Sequence, residues 1–378
     1  MLRPNFKILA AKFKISILSI ISLSTIFYPI ELWSQPETEG ERYSVYEMDN
    51  SIFKQDNHWR GADGAASIDL GDGRILWLFS DTFIDIEGRG KRENSTMIRN
   101  SIAIQKGSDI EDAEITFYYR MDSKNPDDFF NIPGKTWLWT EHGAVIDSVL
   151  VIFLFEEKSS KKGLGFQAVG WHIAIIDNPE DDPLDWNIVY HEGPGRFKVL
   201  AGSSAVIIDG QNILAYAVGN YNNEQDVYLL KYSTEMLLKG ELYNPYWFVN
   251  GTWVNGLQKL PANAVLFTGQ TEFSVHYQRD INKYVQIQTV GFGQCALGFR
   301  IADKPQGPWS EQVSFYLPEF SDPEEFSYSA NAHLELDSNG LIITYNINNF
   351  NFEKLIKNEE IYFPKVIHVD FPASHPVE

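Results

Sequence analysis

Cysteine is almost absent from this chain of 378 residues, in which Cys295 stands alone. A single cysteine cannot form an intramolecular disulfide, so the stability of the fold must come from packing. Basic residues are also scarce: 31 Lys and Arg face 51 Asp and Glu, and the formal net charge is −20. A chain this acidic repels phosphate backbones and anionic lipids. We therefore expect no nucleic acid or membrane surface as a partner, and neutral ligands instead.

The N-terminus carries a separate signal. Four Lys and Arg residues precede an apolar run at residues 15–28, and Ser34 supplies a small residue for cleavage. This pattern predicts a signal peptide at residues 1–34 and a secreted or periplasmic protein without further membrane contact. An uncleaved anchor is the alternative, which the polar residues within the run disfavour.

Long helical periodicity is scarce too, and only residues 233–239 and 352–357 look briefly helical. Apolar runs of strand length recur instead, bounded by Gly, Asn, Asp and Pro. Such a chain is a large sandwich, a barrel or a propeller, and internal repetition decides among them. Aligned on their hairpins, the runs form five units with openings about 60 to 80 residues apart, at Asp63, Glu141, Ser204, Glu272 and Asn331.

The repeats predict an all-β fold, a five-bladed β-propeller that occupies residues 35–378 as a single domain. We expect a strand from residues 43–49 to complete the fifth blade, which would tie the chain ends together and remove exposed sheet edges.

The most informative segment is a hairpin in the first unit with an acid at each open end. Asp72-Gly73 is a strong turn signal between two apolar runs. Because hairpin strands are antiparallel, Asp63 before the first run and Asp81 after the second must lie at the same edge. Two carboxylates at one edge of a sheet can act as an acid/base pair.

The same reasoning sorts the polar residues of all five units between two rims. The start of each inner strand, the end of the second strand and the start of the third share one rim. That rim is predicted to carry the catalytic acids Asp63, Glu272, Asp81 and Glu141, and the substrate-binding residues His142, Asn100, Trp171, Asn220, Tyr221, His333 and Asn346. The opposite rim receives ordinary turns such as Asp72-Gly73.

Convergent carboxylates without a His-rich or Cys-rich metal pattern match glycosidic bond cleavage. One acid protonates the leaving oxygen while a second activates water or attacks the anomeric carbon. We therefore predict a monomeric glycoside hydrolase that binds a polysaccharide or oligosaccharide and needs no cofactor. A non-catalytic carbohydrate-binding propeller using the same rim is the main alternative, and a protein-interaction propeller is another.

Each candidate residue also has a structural interpretation. Asp63 could shape the entry to its strand and Asp81 an Asx turn. Asp81 and Glu141 could tune the pKa of a neighbour rather than react. Histidines such as His142 and His333 are more often hydrogen-bonded channel residues than ligands, although a central metal held partly by His333 stays open. The Gly291-Phe-Gly segment is a lone glycine pair and predicts no phosphate loop.

Several short motifs in order along the chain resemble those of a known family. They are Gly61-Ala-Asp-Gly, Leu76-Trp-Leu-Phe-Ser-Asp-Thr-Phe, Asn100-Ser-Ile-Ala, Trp137-Leu-Trp, Glu272-Phe-Ser, Pro305-Gln-Gly-Pro-Trp and Ala332-His-Leu-Glu-Leu. They are similar to motifs of secreted bacterial five-bladed propellers long catalogued only as a domain of unknown function, some of whose relatives are endo-D-arabinanases. The resemblance implies the propeller fold and an arabinan-type furanoside polymer as the substrate.

By the same resemblance, Asp63 and Asp81 match acids of the family's first-blade motif. Ser80 stands where the family usually has Gly, a departure that leaves the acid in place. Related propeller glycosidases that cleave arabinans and xylans commonly take their general acid from the third blade. This chain has Ser203-Ser204 at that point, which leaves Glu141 or Glu272 for the role.

Overall fold

A computed structural model of the chain describes residues 43–195, 198–221, 224–256, 264–266, 268–336, 338 and 340–370, without the side chains of residues 203, 204, 220, 221 and 224. The predicted signal peptide therefore lies outside the described residues. None of the helices in the described part is long and apolar enough to cross a membrane.

Five antiparallel sheets account for most of the described chain, and each sheet is one blade. Blade 1 consists of Trp59–Asp69, Arg74–Ile84, Ser101–Lys106 and Glu114–Tyr118, with the short strand Thr96–Ile98 paired to its second strand. Blade 2 consists of Trp137–Ile146, Val149–Ser159, Phe166–Ile176 and Ile188–Glu192. Blade 3 consists of Leu200–Asp209, Asn212–Tyr221, Glu224–Ser233, Tyr246–Val249 and Thr252–Asn255.

The last two blades complete the ring. Blade 4 consists of Ser274–Gln278, Lys283–Thr289, Leu297–Ala302 and Val313–Tyr316. Blade 5 consists of Glu325–His333, Leu341–Asn349, Lys365–Asp370 and the N-terminal strand Ser44–Met48. The first strand of each of blades 1 to 4, and Glu325–His333 of blade 5, contacts the corresponding strands of its neighbours. These five strands are the inner strands, and the predicted five-bladed β-propeller is confirmed.

The remaining elements are short. In the described part of the chain, a two-stranded ribbon is formed by Arg120–Asp122 and Asn125–Asp127. Short 3₁₀ turns lie at Ser51–Lys54, Arg92–Asn94 and Pro183–Asp185, and α-helices at Thr234–Leu238 and Phe352–Lys357. Each α-helix begins after a side-chain cap: Ser233 accepts the N–H of Met236, and Asn351 accepts that of Glu353. The two predicted helical segments are confirmed.

The first and last described strands meet in blade 5, as predicted for residues 43–49. Ser44–Met48 pairs antiparallel with Lys365–Asp370, in a register that sets Val45 opposite Val369. Tyr46 stacks on His368 across this pair, with ring centroids 4.6 Å apart. The first and last described strands thus share one sheet.

Apolar clusters fill the space between adjacent blades. In Val149–Ser159, Leu150, Ile152 and Leu154 pack towards blade 1, whereas the alternate residues Val151 and Phe153 pack towards blade 3. This follows from the two-residue period of a strand, whose neighbouring side chains point to opposite faces. A strand buried on both faces reads as a continuous apolar run, which explains why the runs were visible in the sequence.

The inner strands of blades 1, 2, 3 and 5 break their pairing register part-way along their length. In blade 1 the shifts lie between Trp59 and Ala66, and in blade 2 Glu141 and His142 together oppose Phe153. Blade 3 shifts between Ala201 and Val206, and blade 5 between Tyr328 and Asn331. A bulge turns the strand locally and re-aims its side chains. In blades 1, 2 and 5 these bulges contribute to the site described next.

Candidate active site

Asp63 and Asp81 lie side by side in the bulged part of blade 1. Ala62 pairs with Thr82 across the hairpin. Because Asp63 follows Ala62 and Asp81 precedes Thr82, this pairing brings the two acids together. The Tyr362 hydroxyl lies 3.1 Å from Asp63 Oδ2 and 3.1 Å from the main-chain oxygen of Asp81. The predicted proximity of the two acids is confirmed, and the hairpin loop is longer than the two-residue turn expected, spanning residues 70–73.

Two tyrosines from the C-terminal part of the chain hold the Asp63 carboxylate. Tyr328, on the inner strand of blade 5, donates its hydroxyl to Oδ2 at 2.9 Å, and Tyr362 reaches the same oxygen. Tyr328 in turn accepts a hydrogen bond from Asn348 at 3.2 Å. Asp63 Oδ1 is buried without a hydrogen-bond donor among the described residues. The position of Asp63 therefore depends on the contact between the first and last blades.

Glu141 and Glu272 bring further carboxyl groups from blades 2 and 4. Both line a cavity in the channel, together with Gly64, Ala66, Thr140, His142, Ser329 and Asn331. Glu141 lies in the bulge of its inner strand, and Glu272 lies in a bend two residues before Ser274–Gln278. The lining comes from blades 1, 2, 4 and 5 and does not include Asp63 or Asp81. The charges of Asp81 and Glu272 act on Asp63, and those of Glu272 and Asp63 act on Glu141, so the four acids form one cluster beside the cavity.

Burial is the main cause of the shifted pKa values in this cluster. Burial raises the pKa of Asp63 well above its ordinary value, and the charges of Asp81 and Glu272 raise it further. The pKa of Glu141 is also raised well above its ordinary value, by burial and then by Glu272, Glu157 and Asp63. Burial raises the pKa of Glu272 to about 7. Because the carboxylates repel one another, they cannot all ionise near neutral pH, and the cluster retains protons there.

Asp81 differs because it has a cationic partner. Arg99 Nη1 lies 3.2 Å from both of its carboxylate oxygens, and Trp139 Nε1 donates to Oδ1 at 2.9 Å. Burial raises the pKa of Asp81, whereas Arg99 and Trp139 oppose that rise. The guanidinium also lies over the Trp137 ring, 4.4 Å from its centroid. Asp81 is thus the acid whose charged form has the most support.

Two further acids lie near Asp81. The pKa of Glu157 is raised to about 7 by burial and then by the charge of Asp81. The pKa of Asp128 is raised to about 6, chiefly by burial, although its Oδ1 accepts the Arg99 N–H at 2.6 Å. The acidic cluster therefore extends beyond the four predicted residues.

The two predicted channel histidines have different surroundings. His142 lines the cavity, and burial lowers its pKa, which favours the neutral ring. His333 has a fully buried side chain and is absent from that lining. Its ring nitrogens face Ser67 and Thr344, the latter at 2.7 Å. His333 is hydrogen-bonded within the fold, and the expectation that it contacts the substrate is wrong.

Three other predicted substrate-binding residues are buried and contact the interior of the fold. Trp171 is 1% exposed and stacks near Phe153 in the core between blades 2 and 3, because its strand begins at Phe166 and places it mid-strand. Asn100 is fully buried; its amide donates to the carbonyls of residues 130 and 138 and accepts the N–H of residue 130. Asn346 is fully buried and donates to the Ala62 carbonyl at 3.0 Å. None of these three side chains reaches the cavity.

The side chains of Asn220 and Tyr221 lie outside the described residues, so their predicted role stays a prediction. Within the described ranges, no group of three or more His, Cys, Asp or Glu side chains is placed to hold a metal ion.

Tyr328, Tyr362, Ser329 and Arg99 were missed from the sequence. The tyrosines and Ser329 come from blade 5 and the segment after its second strand, far along the chain from Asp63. Spacing predicts which ends of strands share a rim, but it does not predict which side chains cross between blades. Gly61 and Gly64, both with positive φ, are the local signal that could have indicated the bulge at Asp63.

Residues 47–371 match the model of a family described as "Domain of unknown function (DUF5005)". No curated protein matches the chain. Among solved structures, a Bacteroides ovatus protein provisionally described as a hydrolase has a TM-score of 0.65 at 19% identity. The alignment covers 88% of this chain and 92% of that one.

Two weaker similarities concern glycoside hydrolases. The first is CoXyl43, a GH43 β-xylosidase/α-arabinofuranosidase from a compost microbial metagenome, with a TM-score of 0.48 at 12% identity over 88% of this chain and 95% of that one. The second is an α-L-arabinofuranosidase from Lactobacillus brevis, with a TM-score of 0.45 at 12% identity over 85% and 94%. Because both of these TM-scores are below 0.5, only the Bacteroides ovatus structure supports an inference about this chain. At 19% identity, that inference concerns the fold alone.

Proposed function

The chain belongs to the DUF5005 family, and from the geometry of its candidate site we propose that it is a glycoside hydrolase. The observation that carries the proposal is the cluster of Asp63, Asp81, Glu141 and Glu272, whose pKa values are all raised and two of which line the cavity. Burying several like charges together is unfavourable for stability, so such a cluster is better explained by reactivity than by the needs of the fold.

We assign the proton donor to Glu272. A general acid must hold a proton near the working pH and be able to release it, and the pKa of Glu272 is raised to about 7. Glu272 also lines the cavity, and we place the oxygen of the glycosidic bond beside its carboxyl group. Glu141 lines the same cavity, and burial also raises its pKa, so it is the alternative proton donor.

We assign the base to Asp63. Burial and the charges of Asp81 and Glu272 raise its pKa, and the Tyr328 and Tyr362 hydroxyls oppose that rise by donating to its carboxylate. In this role it removes a proton from water, or attacks the anomeric carbon, as Glu272 protonates the leaving oxygen. Proton transfer from Glu272 leaves a new negative charge, and Asp81 with its Arg99 partner tunes the pKa values of the neighbouring acids. The net reaction consumes one water and cleaves one glycosidic bond.

The proposed substrate is a neutral polysaccharide or oligosaccharide, which suits a protein of net charge −20. The motif resemblance favours an arabinan-type furanoside polymer, and xylan and galactan are the alternatives to test. The predicted signal peptide at residues 1–34 would deliver the protein outside the cytoplasm, where such polymers occur. A non-catalytic carbohydrate-binding propeller is the second candidate, because the third blade has Ser203-Ser204 where related enzymes carry an acid.

Release of reducing ends from linear arabinan, xylan and galactan tests the proposal. We expect wild-type protein to hydrolyse one of them, and Glu272→Gln to lower the rate by about 10²–10⁴-fold. A dinitrophenyl glycoside of the released sugar should be far less affected by Glu272→Gln, because its leaving group needs no proton. Asp63→Asn should abolish both reactions.

Binding of an oligosaccharide without turnover would favour the carbohydrate-binding candidate. Full activity of both variants would refute the assignment of the two acids. Glu111→Gln, which changes an exposed acid on blade 1, is the matched control.

A further inference from the structure

An aromatic strip leads from the surface to Asp63, and the proposed mechanism uses only the tyrosine at its inner end. It consists of Phe292, Phe350, Phe326 and Tyr328, which we call the aromatic ridge. Phe292 is 72% exposed and Phe350 is 49% exposed. Exposing two phenylalanine rings side by side opposes the hydrophobic effect, and adjacent exposed apolar residues mark interaction sites more often than scattered ones do.

The rings of the ridge are in contact with one another. Phe326 stacks on Phe350 with centroids 4.3 Å apart, and Phe292 lies 5.6 Å from Phe350 and 6.0 Å from Phe326. Phe326 and Tyr328 are two residues apart on the inner strand of blade 5, so they share a face, with centroids 5.4 Å apart. The surface of the ridge is therefore continuous.

The Phe292 loop is fixed by hydrogen bonds on both sides of the ring. Gln270 donates to the Gly291 carbonyl at 3.1 Å, and the Ser327 N–H donates to the Gly293 carbonyl at 3.1 Å. Both glycines have positive φ, which allows the turn that holds Phe292 outwards. The Gly291-Phe-Gly segment, which the sequence did not indicate as a phosphate-binding loop, thus forms a turn held by hydrogen bonds, with the Phe292 ring at its tip.

The inner end of the ridge is part of the candidate active site. The Tyr328 hydroxyl donates to Asp63 Oδ2 at 2.9 Å, so a molecule lying along the ridge extends to the proposed base. The flat apolar faces of aromatic rings can support sugar rings, which have apolar C–H faces and polar edges. The net charge of −20 favours a neutral occupant over an acidic one.

We propose that the aromatic ridge is a binding surface for a neutral glycan chain, and that it holds the sugar units on one side of the bond to be cleaved. This inference rests on the proposed function for its position relative to Asp63. It deepens that function by specifying a chain of several units rather than a mono- or disaccharide. Affinity must then rise with chain length until the ridge is covered.

Calorimetric titration with neutral oligosaccharides of two and six units, derived from arabinan, xylan and galactan, tests the ridge. The titrations use the Asp63→Asn variant so that turnover does not consume the ligand. We expect at least one hexasaccharide to bind, and additional Phe292→Ala and Phe350→Ala substitutions to weaken it at least fivefold. The affinity for the matching disaccharide should change less than twofold.

Tyr277→Ala is the matched control, because Tyr277 is also exposed but lies beside the turn after the inner strand of blade 4. It should leave the affinity unchanged at both lengths. Equal affinity of the phenylalanine variants and their parent for the hexasaccharide would overturn the proposal, as would no binding of any of these glycans. A change of oligomeric state in the phenylalanine variants would instead assign the ridge to a protein contact and also overturn it.

The two proposals can fail separately. Length-dependent binding that needs the ridge, with no hydrolysis by wild-type protein, would leave the ridge standing and refute the hydrolase. Hydrolysis by wild-type protein, together with glycan binding that the phenylalanine substitutions do not weaken, would refute the ridge and leave the hydrolase standing.

Discussion

At the scale of single residues, the raised pKa of Glu272 favours proton donation but lowers the stability of the folded protein at neutral and higher pH. An unfolded chain ionises Glu near pH 4.5, whereas in the folded protein the pKa of Glu272 is raised to about 7, chiefly by burial. Between those values the folded state binds more protons than the unfolded state, so stability falls as pH rises. The carboxyl group that supplies the proton is thus a source of instability above neutral pH.

Glu272→Gln should therefore stabilise the protein in alkaline solution while it impairs hydrolysis. The raised pKa corresponds to a gain of up to about 3 kcal/mol in the free energy of unfolding at pH 8 and almost none at pH 4.5. Chemical denaturation of both proteins at the two pH values measures this difference, with Glu111→Gln as the exposed control. An equal effect of Glu272→Gln at both pH values would show that the pKa of Glu272 is not raised.

The four acids could be predicted from the sequence because hairpins fix which strand ends share a rim. Trp171, Asn100, His333 and Asn346 could not be placed in this way. A shift of one residue moves a side chain to the other face of a strand, and the true strand starts differ from the predicted ones by several residues. Polar residues that satisfy buried backbone groups, such as Asn100, look the same in a sequence as polar residues that face a substrate.

At the scale of elements, the inner strand of blade 1 links the backbone to the site. Gly61 has φ of +105°, and a Cβ atom there would lie 2.4 Å from the main-chain oxygen of Tyr362. Tyr362 has φ of +66° and holds its hydroxyl between Asp63 and Asp81. The bulge therefore brings Tyr362 close only because residue 61 has no side chain.

Gly61→Ala should displace Tyr362 and so reduce both stability and hydrolysis. Gly71→Ala is the matched control, because Gly71 has φ of +81° but its Cβ would meet nothing within 4 Å. The control should cost about 1–2 kcal/mol from backbone strain alone and leave the rate unchanged. Gly61→Ala should cost at least about 2 kcal/mol more, since the close contact adds to the strain. Similar losses in the two variants, measured by denaturation and by rate, would contradict the link.

The strands themselves were largely predictable, and the bulges were not. Strands buried on both faces, such as Val149–Ser159, can be recognised in the sequence because their residues form nearly continuous apolar runs. The register shifts depend on contacts across the channel, which a sequence does not display. The extra strand Thr252–Asn255 and the ribbon after blade 1 were missed because they are short and largely exposed.

At the scale of the whole molecule, closure of the ring joins distant parts of the chain into one site. Blade 5 supplies Tyr328 and Ser329, blade 4 Glu272, and the hairpin of blade 1 Asp63. The repeat pattern predicted this ring because five units with similar openings have one natural arrangement. We propose that the acids work together there, with Glu272 as the proton donor.

The role of Glu272 is tested by the pH dependence of kcat/KM. This is measured on a dinitrophenyl glycoside and on its parent oligosaccharide. For wild-type protein acting on the oligosaccharide, we expect activity to fall above about pH 7, as Glu272 loses its proton. With the dinitrophenyl glycoside, Glu272→Gln should remain active and show no such fall. A fall near pH 7 that persists in Glu272→Gln, or wild-type protein without hydrolytic activity on either compound, would contradict the account.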